Sequence, residues 1–183
     1  FYKSVSGIPL VRPDWFFDVE KEGTGIVDVT THLVDLIQWE AFPNQVLNTT
    51  DVQVYDSKIW PTALILSQFT QATQKPAFPE SLTKYLNGDK LEVFSNGEFQ
   101  YTLKGKHAKV RVVWDFQAPE GTADTHFSLM RGTKANLIIR QGKDEGYRPV
   151  LYVKLLQGDS SKLAQAVRNT LQARYPGIDL QVL

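Results

Sequence analysis

From Leu91 onward the chain reads as short alternating segments separated by turn residues, and this pattern limits the fold more than any other feature. LEVFS and EFQYTL flank Asn96-Gly97, two residues that accept the positive φ of a type I′ turn, so a hairpin is expected there. KGKH at 104–107 predicts a second turn, followed by a strand over 108–116 with Val110, Val112, Trp114 and Phe116 on one face. HFSLMRG and KANLIIRQG add two strands around Gly132. The block predicts an open antiparallel sheet with one face packed on helices.

Helices come from the first half. Between residues 29 and 39 the apolar positions Val29, Leu33, Leu36 and Ile37 recur at helical spacing, and the helix should end before Pro43. DVQVYDSKIW alternates like a strand; Pro61 then opens TALILSQFTQAT, whose period predicts a second helix running to Pro76, with a short helix over 80–86 beyond it. Ahead of all this, SGIPLVRPDWFFDVEKEGTG reads as an extended strand and a turn. The tail offers PVLYVKLL as a strand, caps at 159–161, a helix over 162–173 with Leu163, Val167 and Leu171 inward, and IDLQVL as a last strand. The expected class is α+β: an open, mainly antiparallel sheet with helices on one face, plus a C-terminal β-α-β extension. The domain reading is 1–146 for the main body and 147–183 for the extension, cut short at its end.

Composition permits a real core, at 42% hydrophobic and 11% aromatic residues. Twenty basic residues balance twenty acidic ones, so no global field draws the chain to nucleic acid or an anionic membrane. The absence of cysteine removes thiolate zinc sites and cysteine nucleophiles, and no apolar run approaches the roughly 20 residues needed to span a bilayer. The reading is a soluble body, cytoplasmic or periplasmic, with no membrane span. A start at FYKSV without an initiator Met suggests a piece of a longer protein.

DVTTHLVDLIQWE, just after EGTG, carries the candidate chemistry. Asp28 and His32 are four apart, so on a helix they project from one side a turn apart, where a carboxylate can hold the tautomer of an imidazole and raise its basicity. That pair suits a general acid or base acting on a hydroxyl proton. Spacing alone is met more simply by an N-cap at Asp28, a partly buried helix residue at His32 and a surface charge at Asp35. No H-x-x-x-H or H-E-x-x-H pair supports a metal, and Gly23-Thr24-Gly25 lacks the third glycine of a dinucleotide fingerprint. The basic group Lys104, Lys106, His107, Lys109 and Arg111 reads as a solvated strand edge without an aromatic platform, not a nucleic-acid surface.

GTGIVDVTTHLVDLIQW resembles the segment that opens the C-terminal domain of the Gfo/Idh/MocA family, the glucose-fructose oxidoreductase and inositol dehydrogenase relatives. The match is a glycine-rich turn, then D-x-x-x-H, met by Asp28 and His32, then Asp35 on the same helix. RGTKANLIIRQG resembles that family's strand pair around a Gly-Thr-Lys turn, and the nearest likeness is to the subgroup of oxidoreductase C-terminal domains. The resemblance implies a dihydrodipicolinate-reductase-like C-terminal domain, with NAD or NADP bound mainly by an N-terminal Rossmann domain outside this chain. It implies His32 as the acid/base and Asp28 as the group that orients or tunes it. A sugar-like small molecule is the implied substrate, with no cofactor-binding residue and no metal in this chain. A homo-oligomer through the open sheet face is also implied. Trp15 and Phe17 are candidates to stack on the sugar and Lys134 to contact it, although a core strand and a solvated hairpin need the same residues. The family's catalytic Lys stands in an E-K-P motif of the absent domain; Gln74-Lys75-Pro76 follows the D-x-x-x-H segment and is not assigned that role.

The leading function is therefore the substrate and oligomerisation domain of an NAD(P)-dependent oxidoreductase acting on a sugar, cyclitol or related polyol. Two alternatives stand beside it: the C-terminal domain of an NAD-dependent glycosidase of the same fold, and a non-catalytic binding or assembly domain.

Overall fold

A computed structural model describes residues 1–177, and the chain divides into two compact units, Phe1–Gln117 and Ala118–Leu183. Every strand pairing among the described residues is antiparallel, and the class is α+β without a barrel.

The first unit opens with a small hairpin of β1 (Ser4–Val5) and β2 (Ile8–Pro9), followed by a 3-10 turn at Asp14–Phe17. Next come the short helix α1 (Gly25–Asp28) and α2 (Thr30–Ala41). The sheet is then laid down by β3 (Val52–Ile65), β4 (Leu86–Asn87), β5 (Lys90–Leu103) and β6 (Lys106–Val112), with α3 (Leu66–Thr73) and a 3-10 turn at Glu80–Tyr85 between β3 and β4. β5 is the central strand: β3 pairs along one edge for its whole length, while β4 and β6 share the other edge.

Two turn signals land differently from the sequence reading. Asn96-Gly97 is no hairpin; β5 runs straight through it. Asn96 is only 2% exposed, and a Cβ on Gly97 would meet the Ile26 side chain at 2.3 Å, so this pair serves packing instead of a turn. The hairpin falls at Lys104-Gly105, where φ values of 46° and 73° supply the two left-handed residues of a type I′ turn and Leu103 faces Lys106. Pro61 starts no helix. It sits inside β3 at a register shift between Trp60 and Thr62, the irregularity at which a strand tolerates a residue without an N–H. The helix starts five residues later, at Leu66, and the Gln68 side chain accepts the Ile65 N–H at 3.0 Å.

Two apolar clusters hold this unit. Phe1, Phe17, Leu64, Phe69, Ala72, Leu82, Leu91 and Val93 form one. Phe42, Tyr101, Leu103 and Val110 form the other beneath Leu33, Val34 and Ile37 of α2. Val34 takes the inward place expected for Leu36, which is 46% exposed. On the opposite face from Phe99, the buried Glu98 carboxylate draws Lys58 and Lys109 to 3.2 Å and Arg111 to 3.8 Å, so two members of the basic strand-edge group are spent on an internal anion.

The second unit carries β7 (His126–Arg131), β8 (Ala135–Gln141) and β9 (Val150–Leu155) as a three-stranded sheet in that order, then α4 (Ser160–Arg174). The strands at 126–141, grouped above with the main body, thus pair with the first strand of the extension. Asp159 caps α4 as expected, accepting the N–H groups of Ser161 and Lys162 at 2.9 and 3.2 Å. IDLQVL lies outside the described residues. Among those described, no helix is long and apolar enough to cross a membrane.

Candidate functional site

The glycines around EGTG let a helix start directly on the sheet. Gly25 opens α1 against β5, and a Cβ there would lie 1.6 Å from the Ser95 carbonyl oxygen. With Gly97 accepting Ile26 from the other side, α1 sits on β5 with no side-chain spacer. The Thr30 hydroxyl donates to the Ile26 carbonyl, and the Thr31 hydroxyl to the Asp28 carbonyl at 3.0 Å, both across the junction between α1 and α2. Val29 keeps right-handed helical angles there, φ −84° and ψ −33°, so Asp28 and His32 retain their one-turn relationship. Both side chains are exposed, and no hydrogen bond joins them among the described residues.

Asp28 lines a cavity of about 20 Å³ that sequence spacing could not reveal. Glu22, Gly25 and Ser95 complete its polar side, and Phe1, Phe16, Val93 and Trp114 form the rest of its wall. Three of those rings pack together, Trp114 lying 5.5 Å from Phe1 and 6.2 Å from Phe16 between centroids. Burial, reinforced by the nearby Asp28 carboxylate, raises the Glu22 carboxyl above its ordinary value against an opposing pull from Arg12. Arg12 is otherwise engaged: its guanidinium lies 4.3 Å over the Phe16 ring, and its Nε donates to the Phe1 carbonyl at 3.3 Å.

Side chains of the sheet hold the Trp114 wall in place. The Trp114 N–H donates to Asn96 Oδ1 at 2.6 Å, Asn96 Nδ2 donates to Thr62 Oγ1 at 2.8 Å, and the Thr62 hydroxyl donates to the Trp114 carbonyl at 2.5 Å. These bonds continue the hold on the chain past the end of β6 at Val112.

The other candidates separate. Trp15 is 48% exposed and lies off the cavity wall, whereas its neighbour Phe16 is on it. Phe17 is fully buried between Phe1 and Phe69 and has no face to offer a sugar, so its expected stacking role gives way to core packing. Lys134 belongs to the second unit, exposed beside the turn between β7 and β8, and its carbonyl accepts the N–H groups of Leu156 and Gln157 at 2.8 and 3.2 Å. Asp35 is a solvent-facing residue of α2, and Lys75 is paired with Asp14 at 2.7 Å. Among the described residues no group of three or more His, Asp or Glu could hold a metal ion.

A dinucleotide does not fit the residues present. The turn before α1 is closed against Ser95, α1 is four residues long, and no parallel β-α-β crossover occurs among the described residues. The residues missed by sequence reasoning are Glu22, Ser95, Phe1 and Trp114. Glu22 had a local signal, since it begins the EGTG run that leads to Asp28; Ser95 and Trp114 reach the site through the sheet, and Phe1 through the Tyr2 N–H bond to the Phe116 carbonyl.

The comparisons with known proteins agree with this fold. The family model described as "Putative oxidoreductase C terminal domain" matches residues 1–183, the whole chain. The crystal structure of a putative oxidoreductase from Parabacteroides merdae superposes with a TM-score of 0.95 at 44% identity, covering 100% of this chain and 43% of that one. The chain thus spans less than half of that relative's length. No curated protein matches the sequence. The chain belongs to the family of oxidoreductase C-terminal domains.

Proposed function

We propose that this domain supplies the substrate side of an NAD- or NADP-dependent oxidoreductase that oxidises a hydroxyl group of a sugar, cyclitol or related polyol. The observation that carries the reading is Asp28, which lines an aromatic-walled cavity and stands one helical turn from an exposed His32 in a chain of an oxidoreductase family. Taking a C–OH group to a carbonyl requires removal of the hydroxyl proton. An imidazole is suited to that transfer, and a carboxylate one turn away is placed to orient it. His32 is the acid/base in this reading, and Asp28, one turn away, orients or tunes it while contacting substrate. Phe16 and Trp114 present apolar faces of the kind that pack on the C–H faces of a sugar ring, and Trp15 offers a further exposed ring.

The redox partner, a nicotinamide cofactor, is assigned to a domain other than this one, consistent with the share of the Parabacteroides protein that lies outside the match. Self-association is assigned to the face of the first-unit sheet that α2 leaves uncovered, where Lys58, Glu98, Lys109 and Arg111 meet.

His32→Ala in the full-length protein is expected to lower kcat/KM for polyol oxidation by about 10² or more, the range for losing a positioned acid or base. Steady-state assays with NAD and NADP over a panel of sugars and cyclitols measure it. Undiminished turnover in that variant would remove His32 from the reaction and the reading with it.

A further inference from the structure

We infer that Glu22 and Asp28 act as a pair that selects substrate by charge: the cavity they share admits a hydroxyl group of a neutral polyol and rejects a carboxylate or phosphate at that position. The inference rests on the function proposed above and adds a residue and a substrate requirement to it.

Size is the first support. A volume of about 20 Å³ is room for one water-sized group, since about 10–15 Å³ admits a water molecule. A single hydroxyl fills that volume, with the ring that carries it outside. Charge is the second. The cavity's ionisable side chains are both carboxylic acids, and the Ser95 hydroxyl already donates to the Val93 carbonyl at 3.1 Å. The nearby cation, Arg12, is turned to the Phe1 carbonyl and the Phe16 ring, so its guanidinium is not among the groups lining the cavity. An anion placed there would face two like charges, whereas a hydroxyl can donate to either carboxylate. The Trp114 ring adds an apolar surface for C–H groups.

The test compares matched substrates in the full-length protein: a neutral hexose or cyclitol against the hexuronate and hexose phosphate of the same ring. The ratio of kcat/KM values, neutral over anionic, is expected to be well above one in the parent. Glu22→Gln, which keeps the shape and removes the charge, should narrow it by about tenfold. His32→Ala should lower both rates and leave the ratio in place, so a failure of the acid/base assignment and a failure of the charge selection give different results. A parent that prefers the anionic substrate, or a Glu22→Gln ratio equal to the parent's, overturns the inference. Should the parent oxidise no member of the panel, binding decides. Saturable quenching of fluorescence by the neutral ring, lost in Trp114→Phe and weaker with the hexuronate, supports selection by charge; equal quenching by both, or none, overturns it.

Discussion

Tyr101 carries its hydroxyl into the apolar cluster under α2, where the residue is 3% exposed and the oxygen has no hydrogen-bond partner among the described residues. Burial raises its phenol above the ordinary value. Leaving such a group unpaired costs about 1–3 kcal/mol, more than a phenyl ring in the same place would. Tyr101→Phe is therefore expected to raise stability by about 1 kcal/mol, read as a higher urea midpoint at unchanged slope. At this scale the sequence was partly legible. Asp28 and His32 could be paired on paper because both lie on one helical stretch, where spacing is geometry. Ser95 and Trp114 could not be joined to them, because β5 and β6 bring them there from far along the chain.

Elements meet here with little room to spare. Gly25→Ala would favour the helix by up to about 1 kcal/mol through propensity alone, yet its Cβ would fall 1.6 Å from a backbone carbonyl oxygen that no rotamer change can move. Overpacking of about 1–3 kcal/mol wins, so Gly25→Ala is expected to lower stability and to shift α1 away from β5. Chemical denaturation checks the first effect, and amide chemical shifts of residues 25–32 the second. The same economy explains the misplaced hairpin. Asn-Gly is a turn signal because both residues tolerate positive φ, but Asn96 is kept for its amide and Gly97 for its missing side chain, and local sequence does not distinguish the two uses. Pro61 misled for a related reason, since a bulged strand and a helix start both accept a residue without an N–H. The antiparallel class survived these slips because alternation, unlike any single turn, is carried by every strand.

For the whole molecule, the charges described point to acid as the weak condition of the first unit. Asp14 is held below its ordinary value of 3.8 chiefly by its hydrogen bond from Lys75. In Asp18 and Glu98 burial pushes the carboxyl up, but bonds from Tyr85 and the Glu20 N–H in one case, and from Lys58 and Lys109 in the other, leave both below their ordinary values. A carboxyl lowered on folding stabilises fully above its unfolded value and loses that contribution as pH falls through the folded one. Glu22, raised on folding, works the other way and contributes only at low pH. Three groups against one predict a Tm that declines as pH drops below about 4.5, the ordinary value for a glutamate. Thermal melts between pH 3 and 7 measure it, and Glu98→Gln should flatten the decline.

The three bonds among Thr62, Asn96 and Trp114 bear on how a ligand would be met. They are made within the sheet, between residues of β3, β5 and the chain just past β6, and none depends on a bound molecule. The Trp114 side of the ring wall is thus finished when the sheet is finished. A ligand that packs on Trp114 would find it already in place, so little of that contact energy would be spent on freezing the protein, and differences among ligands there would be expressed in how long they stay rather than in how fast they arrive.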